Sequence, residues 1–317
     1  MINSVRQTVM SVLNKNNYGY ISPSDFNLFA KQAQLDLFEN YFYSYNYQIL
    51  KENARQSGSG YADITKGLEE VIDEFSVTGP LMNVTASNLY TLPSLTTTSN
   101  DWYLLNKILV YTSQLSSGTT TSTSVANNTV EDAAATFVTD GVSVGDIASL
   151  VIGGVAYNTT ITVVTETVLT TSLAVWTATG SYWIYESEKI KEAEKVTHSK
   201  ITMLQNSVLT KPNLTYPAYT QEANLAAIYP LTVLSQGQVI SQYIRYPFVP
   251  KWTFVTLSNG EPSFDASASD YQDFELPNDD EVNLINKILQ YAGMSIREVG
   301  AVQFAQGLSQ QSEQEEK

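Results

Sequence analysis

The chain has 317 residues, a formal net charge of −15 and no cysteine. The lack of cysteine excludes disulfide bonds, thiolate catalysis and cysteine-ligated metal sites within it. The acidic excess disfavours tight binding to nucleic acid, because the basic residues form no separate patch and their densest stretch, residues 189–200, is interleaved with glutamate.

The first 75 residues predict three helices. Apolar side chains recur at helical spacing over residues 2–13. A second helix is predicted to begin at Ser22-Pro23, where serine can cap the helix and proline suits its first turn, and to run to about Arg55. A Ser/Gly run at residues 57–60 ends it, and the apolar spacing over residues 64–75 predicts a third helix.

Strands dominate the prediction from Thr78 onward. Short β-prone runs alternate with turn residues, and the polar tract at residues 113–128 is interpreted as an exposed loop or linker. Residues 129–185 combine β-prone apolar runs with glycines, tryptophans and tyrosines. This pattern predicts a compact β module.

The pattern becomes mixed again after this module. Residues 186–209 are rich in Glu and Lys and carry apolar residues at helical spacing, which predicts a helix. Strands are predicted between residues 213 and 257. A final helix is predicted to start near Pro277, and the polar, acidic residues 307–317 predict a disordered tail.

The predicted fold is α+β, with N-terminal helices and a mixed α/β body that carries an inserted small all-β module and ends in a C-terminal helix. The body comprises residues 1–128 and 186–306, and the module comprises residues 129–185. Residues 307–317 form the disordered tail.

The sequence offers little for catalysis. His198 is the only histidine, and it is predicted to be a surface residue on a Lys/Glu-rich segment. The acids between Asp270 and Glu281 leave two interpretations open, a glycosidase pair near Asp273 or a solvated corner at a helix N-terminus, of which the second is favoured. We therefore predict a protein that is not an enzyme, with no catalytic residue, no cofactor and no metal site.

A dense aromatic run lies within the second predicted helix. Its side chains cover more than one helix face, so some must lie outside a single core stripe. One interpretation is a subunit interface, where aromatic residues are enriched, and the other is a helix buried on two sides within one chain. The candidate interface residues are Phe38, Tyr41, Phe42, Tyr45 and Tyr47, and Tyr43 belongs to the same run.

Four segments resemble virion structural proteins of crAss-like and related tailed bacteriophages. Residues 14–34 look like the start of such proteins, and residues 137–147 are similar to small β modules of phage tail and connector proteins. Residues 246–252 and 273–277 complete the resemblance.

The resemblance implies a structural subunit of the virion neck or tail. Such a subunit forms an oligomeric ring, often of about 12 copies, that connects the portal to the tail and surrounds the DNA channel. Its partners would be copies of itself, the portal and other tail or ring proteins, with DNA passing without specific binding and no membrane involved. Assembly would take place in the host cytoplasm.

An alternative function is a virion-surface receptor- or glycan-binding protein. It is motivated by the aromatic, threonine-rich β module, because exposed tryptophan and tyrosine rings can stack on sugars. Trp176 is the residue on which this alternative depends.

Overall fold

The computed structural model describes residues 1–13, 21–54, 64–84, 87–95, 100–258 and 260–295, together with residues 303, 306 and 307. Two predicted features lie outside the described residues. They are the helix break at residues 57–60 and residues 308–317 of the predicted tail. The α+β class, with N-terminal helices and a C-terminal helix, is confirmed. Two compact units are present, which we name the helical unit (Met1–Phe75 with Pro247–Lys317) and the barrel unit (Ser76–Tyr246).

The described residues form five α-helices and seventeen strands. The helices are α1 (Ile2–Leu13), α2 (Pro23–Ala54), α3 (Ile64–Asp73), α4 (His198–Gln205) and α5 (Glu281–Ser295). The strands are β1 (Ser76–Pro80), β2 (Met82–Asn83), β3 (Leu89–Thr91), β4 (Trp102–Tyr111), β5 (Gln114–Thr119), β6 (Ser122–Ser124), β7 (Thr129–Glu131), β8 (Ile147–Ile152), β9 (Val155–Val164), β10 (Val168–Thr171), β11 (Ser181–Tyr185), β12 (Ile190–Lys195), β13 (Ala218–Glu222), β14 (Leu225–Tyr229), β15 (Val239–Arg245), β16 (Phe254–Thr256) and β17 (Pro262–Phe264).

In the helical unit, α2 packs against both α3 and α5. Ser22 caps α2 as predicted, because its Oγ accepts the N–H of Asp25 at 3.2 Å. The buried faces of the helices follow the predicted helical spacing. They comprise Ile2, Val5, Val9 and Leu13 on α1, Phe26, Ala30, Ala33 and Leu37 on α2, and Leu284, Ile288, Leu289 and Ala292 on α5.

The first sheet of the barrel unit closes on itself. Its strand order is β1-β15-β4-β12-β13-β14-β3-β2. The strands at the two ends of this order, β1 and β2, are successive parts of one bent segment. Leu81 lies at the bend and donates its N–H to the carbonyl of Val239 at 2.9 Å. Closure joins the two ends of the strand order through this one segment, and the interior is filled by buried side chains that include Tyr90, Ile108 and Tyr219.

A second closed sheet follows the same plan, with the order β5-β11-β8-β9-β10-β7-β6. Here β5 and β6 are the two halves of a segment that bends at Thr120 and Thr121, whose N–H groups bond Gly180 and Glu131. This smaller barrel is inserted between β4 and β12, which are hydrogen-bonded neighbours in the first barrel. Its core contains Trp176, Tyr182 and Phe137.

Two local predictions were wrong. The tract at residues 113–128 was expected to be a loop, but it forms β5 and β6, so the small barrel begins at Gln114 rather than at residue 129. Its side chains are small because the chain is tightly packed there. A Cβ on Gly118 would lie 2.7 Å from both the Asp132 carboxylate and the Tyr182 hydroxyl.

The predicted helix at residues 186–209 is instead strand β12 followed by the short helix α4. Neighbouring strands override the helix-forming composition, because β12 pairs with β4 on one side and with β13 on the other. Ala193 points into the barrel core while the charged residues around it are exposed. The predicted single body is also divided differently, since residues 76–246 form a unit without the N-terminal helices.

The two barrels share a tight junction. Tyr111 and Tyr185 stack with ring centroids 5.3 Å apart, and the Tyr185 hydroxyl donates to the carbonyl of Gln236 at 2.7 Å. Next to it, Gly237 has a φ of +71°, and a Cβ there would lie 1.7 Å from the Ser149 Oγ. Only glycine fits this position without displacing the small barrel's β8.

Candidate interaction surfaces

Two of the predicted interface residues are core residues of the helical unit. Phe38 is fully buried and meets Phe42 and Phe75 edge to face, each at 5.1 Å between ring centroids. Tyr41 is buried and its hydroxyl donates to Asp280. Burial, with a smaller contribution from Asp280, raises the pKa of Tyr41. Both side chains are therefore used within the core of the helical unit, and their role as interface anchors stays a prediction without an exposed surface to support it.

The side chains of the remaining aromatic residues are more exposed to solvent. Phe42 and Tyr45 are half-buried, whereas Tyr47 is 43% exposed and Tyr43 is 73% exposed. Leu50, which the sequence analysis did not single out, is 68% exposed. Tyr43, Tyr47 and Leu50 occupy positions i, i+4 and i+7, so they form one stripe on the face opposite the core. We name these three residues the α2 stripe.

The α2 stripe stands on an uncharged stretch of the helix. No Asp, Glu, Lys or Arg occurs between Glu39 and Lys51. Earlier on the same face, α2 presents the exposed polar side chains of Gln32 and Glu39. One exposed apolar side chain, Leu28, also precedes Tyr43 on α2, and the three-residue apolar row begins at Tyr43. An exposed aromatic and aliphatic cluster without charges has the composition of an interface core.

A second exposed apolar surface lies on the barrel unit. Val208 and Leu209 follow α4 and are 97% and 95% exposed. Tyr216 in the same loop and Leu231 in the β14–β15 connection are also mostly exposed. We name Val208, Leu209, Tyr216 and Leu231 the loop patch. The sequence analysis missed it because the wrongly predicted helix placed Val208 on an apolar core face.

Local hydrogen bonds hold the loop patch in shape. The Asn213 Oδ1 accepts the N–H groups of Thr215 and Tyr216, each at 2.9 Å. An open groove of about 480 Å³ lies beside Val208, between Pro212 and Leu214 on one side and Pro230 and Thr232 on the other. Val208 thus borders a shallow, open groove, whereas the α2 stripe is a convex helix ridge.

Charge is distributed unevenly around the two surfaces. The helical unit contains 21 acidic and 10 basic residues, and the barrel unit contains 11 acidic and 7 basic residues. Residues 195–221, which include the loop patch's main segment, contain three lysines and no acid. One of them, Lys211, is exposed and lines the groove. The loop patch is thus locally basic in an acidic chain.

Most segments that carry the phage resemblance meet in the helical unit. Asn27 and Trp252 exchange two hydrogen bonds, the Trp252 N–H to the Asn27 Oδ1 at 2.8 Å and the Asn27 Nδ2 to the Trp252 carbonyl at 3.2 Å. The buried Gln34 donates to the carbonyl of Phe248 at 2.8 Å and accepts the N–H of Glu275 at 3.2 Å. Residues 21–34, 247–252 and 273–277 therefore form one hydrogen-bonded cluster.

The side chain that motivated the glycan-binding alternative is not at the surface. Trp176 is only 1% exposed, and its Nε1 donates to the Thr171 Oγ1 at 2.9 Å. Tyr182 is also buried and donates to Asp132 at 2.8 Å. Both rings fill the core of the small barrel, so neither is available to stack on a sugar.

The acidic cluster has structural partners. Asp273 accepts the N–H groups of Ile2 at 2.7 Å and Phe274 at 2.8 Å, together with the amine of Met1 at 3.0 Å. Burial would raise the pKa of Asp273, but these hydrogen bonds outweigh it and lower the pKa. Glu275 accepts the N–H of Phe248 at 2.7 Å. The carboxylate of Asp273 therefore holds the start of α1, where a negative charge is favourable.

His198 is exposed, as predicted, and its Nε2 lies 3.1 Å from the carbonyl of Gln221. The part of the chain that the structure describes contains no group of three or more potential metal ligands. None of the described helices has the length and apolarity required to cross a membrane. Neither a scan against protein-family models nor a search of curated proteins finds a match to the chain.

Proposed function

We propose that the chain is a structural subunit of a tailed-phage virion. It forms an oligomeric ring in the neck or tail that connects the portal to the tail and surrounds the DNA channel. The observation that carries the proposal is the α2 stripe, an exposed and uncharged row of Tyr43, Tyr47 and Leu50 on an otherwise ordinary core helix. The resemblance of residues 14–34, 137–147, 246–252 and 273–277 to phage virion proteins supplies the setting.

Burial of the stripe gives a physical reason for assembly. Removing a large apolar side chain from water contributes about 1.5–3 kcal/mol, and tyrosine is enriched among the residues that dominate interface energy. A ring repeats the same contact at every subunit, so a modest gain is multiplied by the number of contacts. No catalytic step is required of the chain in this role.

The charge of the chain is compatible with DNA passage. A net charge of −15 repels a polyanion at long range, so a ring with acidic walls would let DNA move without holding it. The closed barrels also fit a rigid structural part, because each sheet closes through one bent segment of its own chain.

The test is the mass of the full-length protein, alone and mixed with its portal, by native mass spectrometry and light scattering. Tyr47→Asp and Leu50→Asp should abolish the high-order species because they place a charge in the buried contact. Gln7→Glu is the matched control, since it adds the same charge to an exposed polar position on α1, a different helix of the same unit. Unchanged thermal unfolding of all three variants would show that assembly, not folding, was affected.

Tyr45→Asp is a weaker test of the same interface. Tyr45 is half-buried within the chain, so a charge there is expected to disturb packing in the helical unit as well as assembly. Full assembly of Tyr47→Asp and Leu50→Asp, at wild-type concentrations, would remove the α2 stripe from the proposal.

A further inference from the structure

We infer that the two exposed apolar surfaces are the two halves of one head-to-tail contact, in which the α2 stripe of one copy packs into the loop patch of a second copy. The inference rests on the proposed function, because it names the surfaces through which subunits of a ring would join. Each surface is observed independently of the other, one on the helical unit and one on the barrel unit.

The shapes of the two surfaces are complementary. Tyr43, Tyr47 and Leu50 project from one helix face over about 10 Å, at 1.5 Å of rise per residue. Apolar residues at i, i+4 and i+7 are the pattern by which a helix inserts into an apolar groove. The loop patch borders a shallow, open groove of about 480 Å³, to which it contributes the exposed Val208.

The charges favour this pairing over the pairing of identical surfaces. Two α2 stripes facing each other would bring two helical units together, each with 21 acidic and 10 basic residues. The loop patch instead offers Lys211 beside the groove, on a segment without acids. Glu39 is exposed on α2 one turn before Tyr43, where it could pair with that lysine.

The symmetry of the contact also fits a ring. A surface that pairs with itself produces a dimer and stops there. Two different surfaces on one chain produce a head-to-tail contact, and successive copies then form a ring or an open helix according to the rotation between neighbours. The occupant of the loop patch is therefore a second copy of this chain.

The absence of cysteine makes the contact directly testable by cross-linking. Full-length Leu50→Cys and Leu209→Cys proteins, distinguishable by an affinity tag on one of them, are mixed in equal amounts and oxidised gently. Random pairing of thiols would make half of the disulfide dimers mixed. We expect mixed dimers to exceed each symmetric dimer by about five-fold or more, because only the head-to-tail contact brings residues 50 and 209 together. Val163→Cys, an exposed position on β9, replaces Leu209→Cys in the control mixture and should give no such excess.

Charge exchange provides the second readout. Lys211→Glu should reduce the mixed dimer, and adding Glu39→Lys to the Leu50→Cys partner should restore it. An oligomer with only symmetric Leu50→Cys dimers, or with no cross-link, would overturn the head-to-tail contact and leave the proposed ring standing. A protein that remains monomeric at all concentrations and with its portal, and forms no cross-link, would overturn both.

Discussion

The helical unit and the barrel unit differ in how far their backbone pairing and apolar side chains are accommodated within the chain itself. Both sheets of the barrel unit close through a bent segment, at Leu81 in one barrel and at Thr120–Thr121 in the other. The helical unit holds most of the excess acidic charge and exposes the α2 stripe. The sheets of the barrel unit are thus closed within the chain, whereas the helical unit carries an exposed apolar helix face, for which we propose a partner.

The largest effect is expected for a core residue of the aromatic run. Phe38→Ala should cost about 3–5 kcal/mol of unfolding free energy, because it opens a cavity beside Phe42 and Phe75. Tyr47→Ala, on the exposed face of the same helix, should change the monomer by less than about 0.5 kcal/mol. Denaturant unfolding of both variants measures the difference, and equal losses would show that the α2 stripe is part of the core.

The junction of the two barrels should be the next most sensitive site. Gly237→Ala is expected to cost about 2–5 kcal/mol, from the positive φ and from the contact with Ser149. Gly153→Ala is the matched control, because Gly153 also has a positive φ but has nothing within 4 Å of an added Cβ. Its expected cost is about 1–2 kcal/mol. Similar unfolding midpoints for the two variants would contradict a tight junction.

A smaller and pH-dependent effect is expected at the start of α1. Because its pKa is lowered in the folded chain, Asp273 stabilises the helical unit above the ordinary pKa of an aspartate, and this contribution is lost as the pH falls towards the folded value. Asp273→Asn should lower the free energy of unfolding by about 1–3 kcal/mol at neutral pH. It should also make that free energy depend less on pH in the acidic range. Asp270→Asn should change the acid dependence less, because the Lys251 pair that lowers the pKa of Asp270 is solvent-exposed and therefore weak.

The smallest effect is expected on the outer face of the first barrel. Lys107 on β4 and Glu192 on β12 form an ion pair at 3.2 Å, and both side chains are about half exposed. Lys107→Ala should cost less than about 1 kcal/mol, and the difference from wild type should shrink in high salt. A loss of several kcal/mol would indicate that this pair, rather than the closed backbone ladder, holds β12 in place.

Secondary structure was predicted correctly where the apolar spacing of a segment agreed with the structure that its neighbours in the fold impose. The helices α1, α2, α3 and α5 were predicted because their apolar spacing matches a buried face. It failed at β12, where flanking strands impose extended structure on a Glu/Lys-rich segment. It also failed at β5, where the polar tract is a strand that closes the small barrel.

The candidate surfaces were only partly visible in the sequence. The aromatic run was recognised, but its composition does not say which rings face the core, and the structure separates the buried Phe38 and Tyr41 from the exposed Tyr43 and Tyr47. Leu50 was missed because it is not aromatic. The loop patch was missed with the wrong helix, since its exposure depends on α4 ending at Gln205.

The most direct test of the central claim is native mass spectrometry of the full-length protein, alone and with its portal. A discrete high-order oligomer is expected, which disappears in Tyr47→Asp and persists in Gln7→Glu. A chain that stays monomeric in every condition, with or without the portal, would contradict it.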